Sequence, residues 1–407
     1  MVCFEAFRMS AKIAYFAHDL ADPAVRRRVR MLKVGGAAVL PIGFRRGAEP
    51  ITAIDGVPAI EIGRTADGML FKRAISVVAA LAKLRNAERH LRGSHVIVAR
   101  NLEMLVLAAH ARKRYAPAAR LVYECLDIHR LQLSTRFDGA LLRFLETRLW
   151  DEVDLLLTSS PAFVRSYFAP RDFTGPVRVV ENKLLLLGDE HLRIPPPKRP
   201  PGPPWRIGWF GMIRCRKSLD VLSSLARATN GTVEIIIRGR PSAAVFPDFA
   251  RTIANLPNVQ YGGPYDNPGD LCRIYGDVHF NWTIDYYESG KNSAWLLPNR
   301  IYEGSFYRAV PIGVARVETG AWLNRHGIGV VFDEPIQQPL IDFFRSLELD
   351  TYVQLAKAVS SLPRVDLCTD QADCRELVGA LCGLSIESRG IAATMAKTSS
   401  CDQSQAF

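Results

Sequence analysis

No apolar run in this chain approaches the ~20 residues that a helix needs to cross a bilayer. The best candidate, Ala74–Leu84, is too short and is bracketed by Lys72, Arg73, Lys83 and Arg85. The first ten residues lack a signal-peptide pattern, because Glu5 and Arg8 interrupt the apolar stretch. Eight cysteines are scattered without a single C-x-x-C pair. A zinc knuckle is therefore not expected, and reduced thiols of a cytosolic protein are the plain reading. No G-x-G-x-x-G follows the first apolar run at Lys12–Phe16, which disfavours a dinucleotide dehydrogenase. The P-loop spacing G-x-x-x-x-G-K-[ST] fails as well. No Asp-x-Asp metal pair stands at a strand end, and no G-x-S-x-G nucleophile elbow occurs.

What is present is ordinary globular composition: 407 residues, 48% hydrophobic and 23% charged. That length exceeds one core and implies two domains of roughly 150–200 residues. The formal net charge is +11. Such a balance favours an anionic partner, whether nucleic acid, an acidic membrane surface or a phosphorylated substrate. No recognised nucleic-acid module is found, so nucleic acid is not expected as a partner.

The first half alternates short apolar strands with helices. Strands are expected at 12–16, 37–42, 95–99, 120–124, 154–158 and 177–180, and helices at 23–34, 68–91, 102–115 and 137–150. Residues 195–204 then hold seven prolines in ten positions. They cannot form helix or central strand and make a stiff connector. A second α/β series follows, with strands at 206–210, 233–238, 259–261, 278–282 and 310–313. Its helices are expected at 218–229, 270–275 and from Asn299. The expected fold is therefore α/β with two Rossmann-like parallel-sheet domains facing a cleft. The expected boundaries are a 1–10 extension, an 11–190 domain and a 191–204 linker. A 205–362 domain follows, and a 363–407 helix and flexible tail ends the chain.

Four segments carry the chemistry. Leu297–Gly313 opens with a Pro-Asn turn into a short helix bearing Glu303, then an apolar strand. A helix N-terminus aimed at a cleft binds phosphate, and a carboxylate one turn in can accept from sugar hydroxyls. In Gly208–Ser218 a strand is expected to end at Gly211 as the turn. A loop with Arg214, Arg216 and Lys217 would then put positive charge at a helix start. Tyr123–Arg130 follows a first-half strand, and Asp127 and His129 stand where a general base or a hydroxyl-binding pair would sit. The run Arg26–Arg30 with Lys33 suits a phosphate-bearing acceptor or an anionic membrane.

These residues resemble the retaining glycosyltransferases of family 4, which have the GT-B fold, from about Lys12 to Leu362. The family carries a Gly-Arg-x-x-x-x-Lys-Gly loop. Here Gly211 and Lys217 match it, Met212 replaces the arginine and Ser218 the second glycine. Glu303 matches the second glutamate of the family's Glu-x7-Glu element, and Trp295 falls on the first. Pro298–Glu303 is similar to subgroups reading Pro-Asn-Lys-x-x-Glu. Asp127 matches the end of the family's His-Asp strand, with Leu126 at the histidine and His129 as a substitute. The run to Ser159-Ser160-Pro161-Ala162-Phe163 is similar too.

The resemblance implies a donor site of Gly211, Arg214, Arg216, Lys217, Asn299, Arg300 and Glu303 for a UDP- or GDP-linked sugar. It implies catalytic Asp127 and His129, no cofactor, no metal, and front-face transfer with retention. It also implies a lipid-linked oligosaccharide acceptor of exopolysaccharide synthesis and a cytoplasmic enzyme peripheral on the inner membrane face. A nucleotide-sugar epimerase and a non-catalytic scaffold or nucleic-acid-binding protein stay open as alternatives.

Overall fold

The structure is a computed structural model that describes residues 10–65, 70–188 and 199–384, without the side chains of residues 70–78. Most of the 1–10 extension, residues 191–198 of the linker and the tail beyond 384 lie outside the described residues.

The first sheet has seven strands: β1 (Lys12–Ala17), β2 (Ala38–Arg45), β3 (Ile60–Arg64), β4 (Val96–Arg100), β5 (Arg120–Cys125), β6 (Leu155–Thr158) and β7 (Val177–Val179). Their order is β3-β2-β1-β4-β5-β6-β7. The second has six: β8 (Trp205–Ile213), β9 (Val233–Pro241), β10 (Val259–Tyr261), β11 (Phe280–Trp282), β12 (Val310–Val314) and β13 (Val330–Phe332). Their order is β10-β9-β8-β11-β12-β13. Both sheets thus place their first three strands as 3-2-1 and continue outward from the first strand on the other side. That is the doubly wound order whose reversal point gathers ligands at the strands' carboxyl ends. By contact density the chain groups into two units. One holds the residues through Ala99, Glu103–Val122 and those from Gln371 onward; the other holds Arg100–Leu102 and Tyr123–Asp370.

Local sequence explains the elements. α1 (Pro23–Val34) starts at Asp22, whose carboxylate accepts from the Ala24 N–H, with Pro23 in the first turn. Val25, Val29, Met31 and Leu32 form its buried stripe. The helices α2 (Leu70–Leu91), α3 (Leu102–Tyr115) and α4 (Phe137–Trp150) follow. In the second series α5 (Arg216–Ala228) buries Leu219, Leu222, Leu225 and Ala226, and α6 (Asn299–Phe306) precedes β12. The last helix among the described residues, α7 (Gln371–Leu381), packs against α1. A Cβ on Gly35 would stand 2.3 Å from the Cys374 carbonyl oxygen, so only glycine allows this approach.

One expectation is corrected. Gly211 is not a turn. β8 runs on to Ile213 because its pairing with β9 continues through Gly211↔Gly239 to Ile213↔Pro241. Consequently α5 starts at Arg216, with Cys215 as its N-cap, two residues before the expected Ser218.

The two sheets share one further device. His95 exchanges its backbone N–H and its Nδ1 with the backbone of Lys12 on β1. His279 does the same with Arg206 on β8. His279 Nε2 lies 3.0 Å from the Pro200 carbonyl, so Nε2 carries the proton and Nδ1 accepts. Burial pushes its pKa from 6.5 down to about 4. The unfolded chain then binds more protons than the folded one between those values, so stability falls as pH drops through that window. Thermal unfolding from pH 7 to pH 4.5 should show this loss, and His279→Gln should flatten that part of the profile.

Candidate donor-binding site

The paired glycines set the site's frame. Gly211 has φ +111° and Gly239 φ +136°, a region where side chains are strained. A Cβ on Gly239 would lie 1.8 Å from the Gly211 carbonyl oxygen, while one on Gly211 would face open space. The strand therefore presents bare backbone at its carboxyl end, and Met212 next to it is exposed.

Beyond Ile213 the chain turns into α5 and sends out three cations. Arg214 reaches Asp285 (Nη2–Oδ2 3.5 Å) and lies 4.6 Å over the Tyr287 ring. Lys217 lies 3.3 Å from Glu334 and 4.0 Å over the Tyr286 ring. Both thus face the loop after β11 through consecutive tyrosines. Arg216 points elsewhere: it donates to the Val245 carbonyl and stacks over Phe246.

α6 comes to the same loop. Pro298 is its N-cap and supplies no side-chain cap, which leaves first-turn N–H groups for a ligand. Asn299 is exposed at that end. Arg300 donates to the Ile284 carbonyl at 2.9 Å, and Asn281 donates back to the Arg300 carbonyl at 2.5 Å. Glu303, one turn in, is buried. Its Oε1 accepts from Asn267 Nδ2 at 3.0 Å and its Oε2 from the Tyr275 hydroxyl at 3.1 Å. Burial first, and the Glu303 carboxylate next, raise the Tyr275 pKa well above its usual value, so that hydroxyl stays a donor.

Asp127 and His129 are exposed after β5. Their segment is held from both sides. The Asn292 side chain accepts from the Ile128 N–H at 2.9 Å and donates to its carbonyl at 2.6 Å. Arg130 binds Glu288 at 2.8 Å and the Tyr287 hydroxyl at 2.6 Å. Below it, Glu146 is buried and accepts from Tyr123 and Tyr167. Desolvation raises its pKa, and those two hydroxyls counter the rise.

The structure thus brings Arg214, Lys217, Arg300 and the Ile128–Arg130 segment onto the stretch Thr283–Asn292 that follows β11, while Glu303 is held by Asn267 and Tyr275 and Arg216 by Val245. Trp295 meets the Phe163 ring edge-on, at 6.1 Å between centroids, so it packs where a first glutamate would stand. Sequence reading missed Asp285, Tyr286, Tyr287, Glu288 and Asn292. Their signal was position: they directly follow a strand, at its carboxyl end.

No protein-family model matches the chain. It is 44% identical over 380 residues to the succinoglycan biosynthesis protein ExoL of Rhizobium meliloti (strain 1021), across 92% of this chain and 94% of that protein. The chain belongs to the ExoL family. Among solved structures, this member of the ExoL family is similar to Anabaena HepE in complex with UDP and glucose (TM-score 0.63, 14% identity, 91% of this chain and 98% of that one). It is also similar to sucrose-phosphate synthase of Thermosynechococcus elongatus (TM-score 0.66, 13% identity, 91% and 98%). At such identities the likeness establishes the fold, which is GT-B.

Removing the Asn292 amide leaves the Ile128 N–H and carbonyl without their partner. Asn292→Ala should cost on the order of 1–3 kcal/mol and speed hydrogen exchange at the Ile128 amide, read by mass spectrometry against thermal unfolding.

Proposed function

We propose that this chain is a glycosyltransferase that moves a sugar from a nucleoside-diphosphate sugar to an oligosaccharide in exopolysaccharide biosynthesis. The observation that carries this reading is the convergence of Lys217, Arg214 and the open N-terminus of α6 on the loop after β11. The kinship with a succinoglycan biosynthesis protein supports the pathway class. The HepE structures with UDP and with UDP-glucose support a uridine nucleotide as donor carrier, with a guanosine one as the alternative.

In this reading the donor diphosphate lies against Gly211, where no side chain intrudes. Lys217, Arg214 and the first-turn N–H groups at Asn299 and Arg300 meet the charge that grows on the leaving diphosphate. Lys217 must then exchange Glu334 for phosphate, an easy step for an exposed pair. Glu303 accepts from the ribose, its position set by Asn267 and Tyr275. Asp127 and His129 face the acceptor side, where Asp127 receives the hydroxyl proton or orients that hydroxyl. Arg216 serves as a longer-range charge. Transfer is front-face with retention, as in family 4. We place no metal or cofactor in the reaction. The acceptor is lipid-linked, and the enzyme works in the cytoplasm, peripheral on the membrane.

Lys217→Ala should lower sugar transfer by about 10²-fold or more with unchanged thermal unfolding. Glu303→Gln, which keeps the side chain's volume, should mainly raise the donor KM. Steady-state kinetics with a labelled nucleotide sugar checks both. Near-normal turnover in the two variants would contradict the assignment.

A further inference from the structure

α4 buries Gly139, Glu146 and Trp150. Its opposite side is apolar. Phe137 is 84% exposed, Leu141 46%, Phe144 54% and Leu145 45%. Their spacing of i, i+4, i+7 and i+8 places them in one stripe along the helix. A surface helix of this kind normally presents charge there. Here the basic groups sit within and beside the stripe: Arg148 lies 5.2 Å over the Phe144 ring, and Arg136 is exposed at the N-cap. Apart from the buried Glu146, the acidic groups keep to the ends. Asp138 accepts from the Gly139 N–H in the first turn, and Asp151 and Glu152 follow the last residue.

We propose that this face of α4 docks on an anionic lipid bilayer. Phe137, Leu141, Phe144 and Leu145 enter the boundary between headgroups and acyl chains, while Arg136 and Arg148 reach back to lipid phosphates. Two observations favour a bilayer over a second copy of the chain. The whole chain carries +11, which an anionic surface attracts and an identical copy repels. The stripe is also small. A helix of 14 residues is about 21 Å long, and at ~10 Å width it covers about 200 Å², well short of the ~800 Å² per partner of a stable interface. The run on α1 is a weaker candidate, since Arg28 is buried and Arg26 and Lys33 are tied to Asp55. The proposal rests on the functional reading above only for its purpose, bringing the enzyme to a lipid-linked acceptor.

The test is flotation of the full chain with vesicles of phosphatidylcholine alone or mixed with phosphatidylglycerol. UDP titration of the same samples runs in parallel. The unchanged chain should float with the anionic vesicles, and Leu141→Glu with Phe144→Glu should reduce the bound fraction at least ten-fold. UDP affinity and thermal unfolding should stay the same. Arg148→Ala should weaken binding and make it less sensitive to salt. Equal binding by the double variant, or no binding by the unchanged chain, overturns the proposal. So does a dimer in light scattering that the double variant converts to monomer. Loss of UDP binding in the unchanged chain would instead contradict the donor site and leave this surface standing.

Discussion

The site depends on one close approach, that of β8 and β9 beyond Gly211 and Gly239. With any side chain at Gly239 the carbonyl of Gly211 would be struck, and the two strands would part there. Because they do not part, β8 carries two more residues, Met212 and Ile213, before the chain turns. That extension sets where Arg214 leaves the sheet and where α5 begins. It therefore sets which loop Arg214 and Lys217 can reach. The same glycines leave the strand end bare, so that a diphosphate could lie on backbone.

A second constraint is the placing of charge in partly dry surroundings. Glu303 is buried, and Asn267 and Tyr275 hydrogen-bond both of its oxygens. Arg300 spends its guanidinium on the carbonyl of Ile284 and so pins the first turn of α6 to the loop after β11. Asn292 and Glu288 pin the Asp127–Arg130 segment to that loop from the other side. The stretch after β11 thus supports Arg300 and the Ile128–Arg130 segment at once, and its tyrosines supply ring faces for Arg214 and Lys217.

The parallel-sheet architecture was legible because short apolar strands alternate with helices whose caps are written in the chain, as Asp22-Pro23 shows. The start of α6 at Asn299 was legible from local pattern, a Pro-Asn turn. The true end of β8 was not. A glycine in a strand reads as a turn unless its partner glycine on the neighbouring strand is known, and Gly239 is remote in sequence. The loop Asp285–Asn292 has no periodicity, and its partners Ile128 and Arg130 lie more than 150 residues away. The opposite direction of Arg216 was equally hidden, since neighbours in a helix point about 100° apart.

The proposed donor site comprises Gly211, Lys217, the start of α6 and Glu303. The most direct measurement is an experimental structure with a nucleoside diphosphate bound. The diphosphate should lie against Gly211 within reach of Lys217 and Arg214, with the ribose hydroxyls on Glu303. A nucleotide seated away from these residues, with Lys217 still on Glu334, would contradict the account.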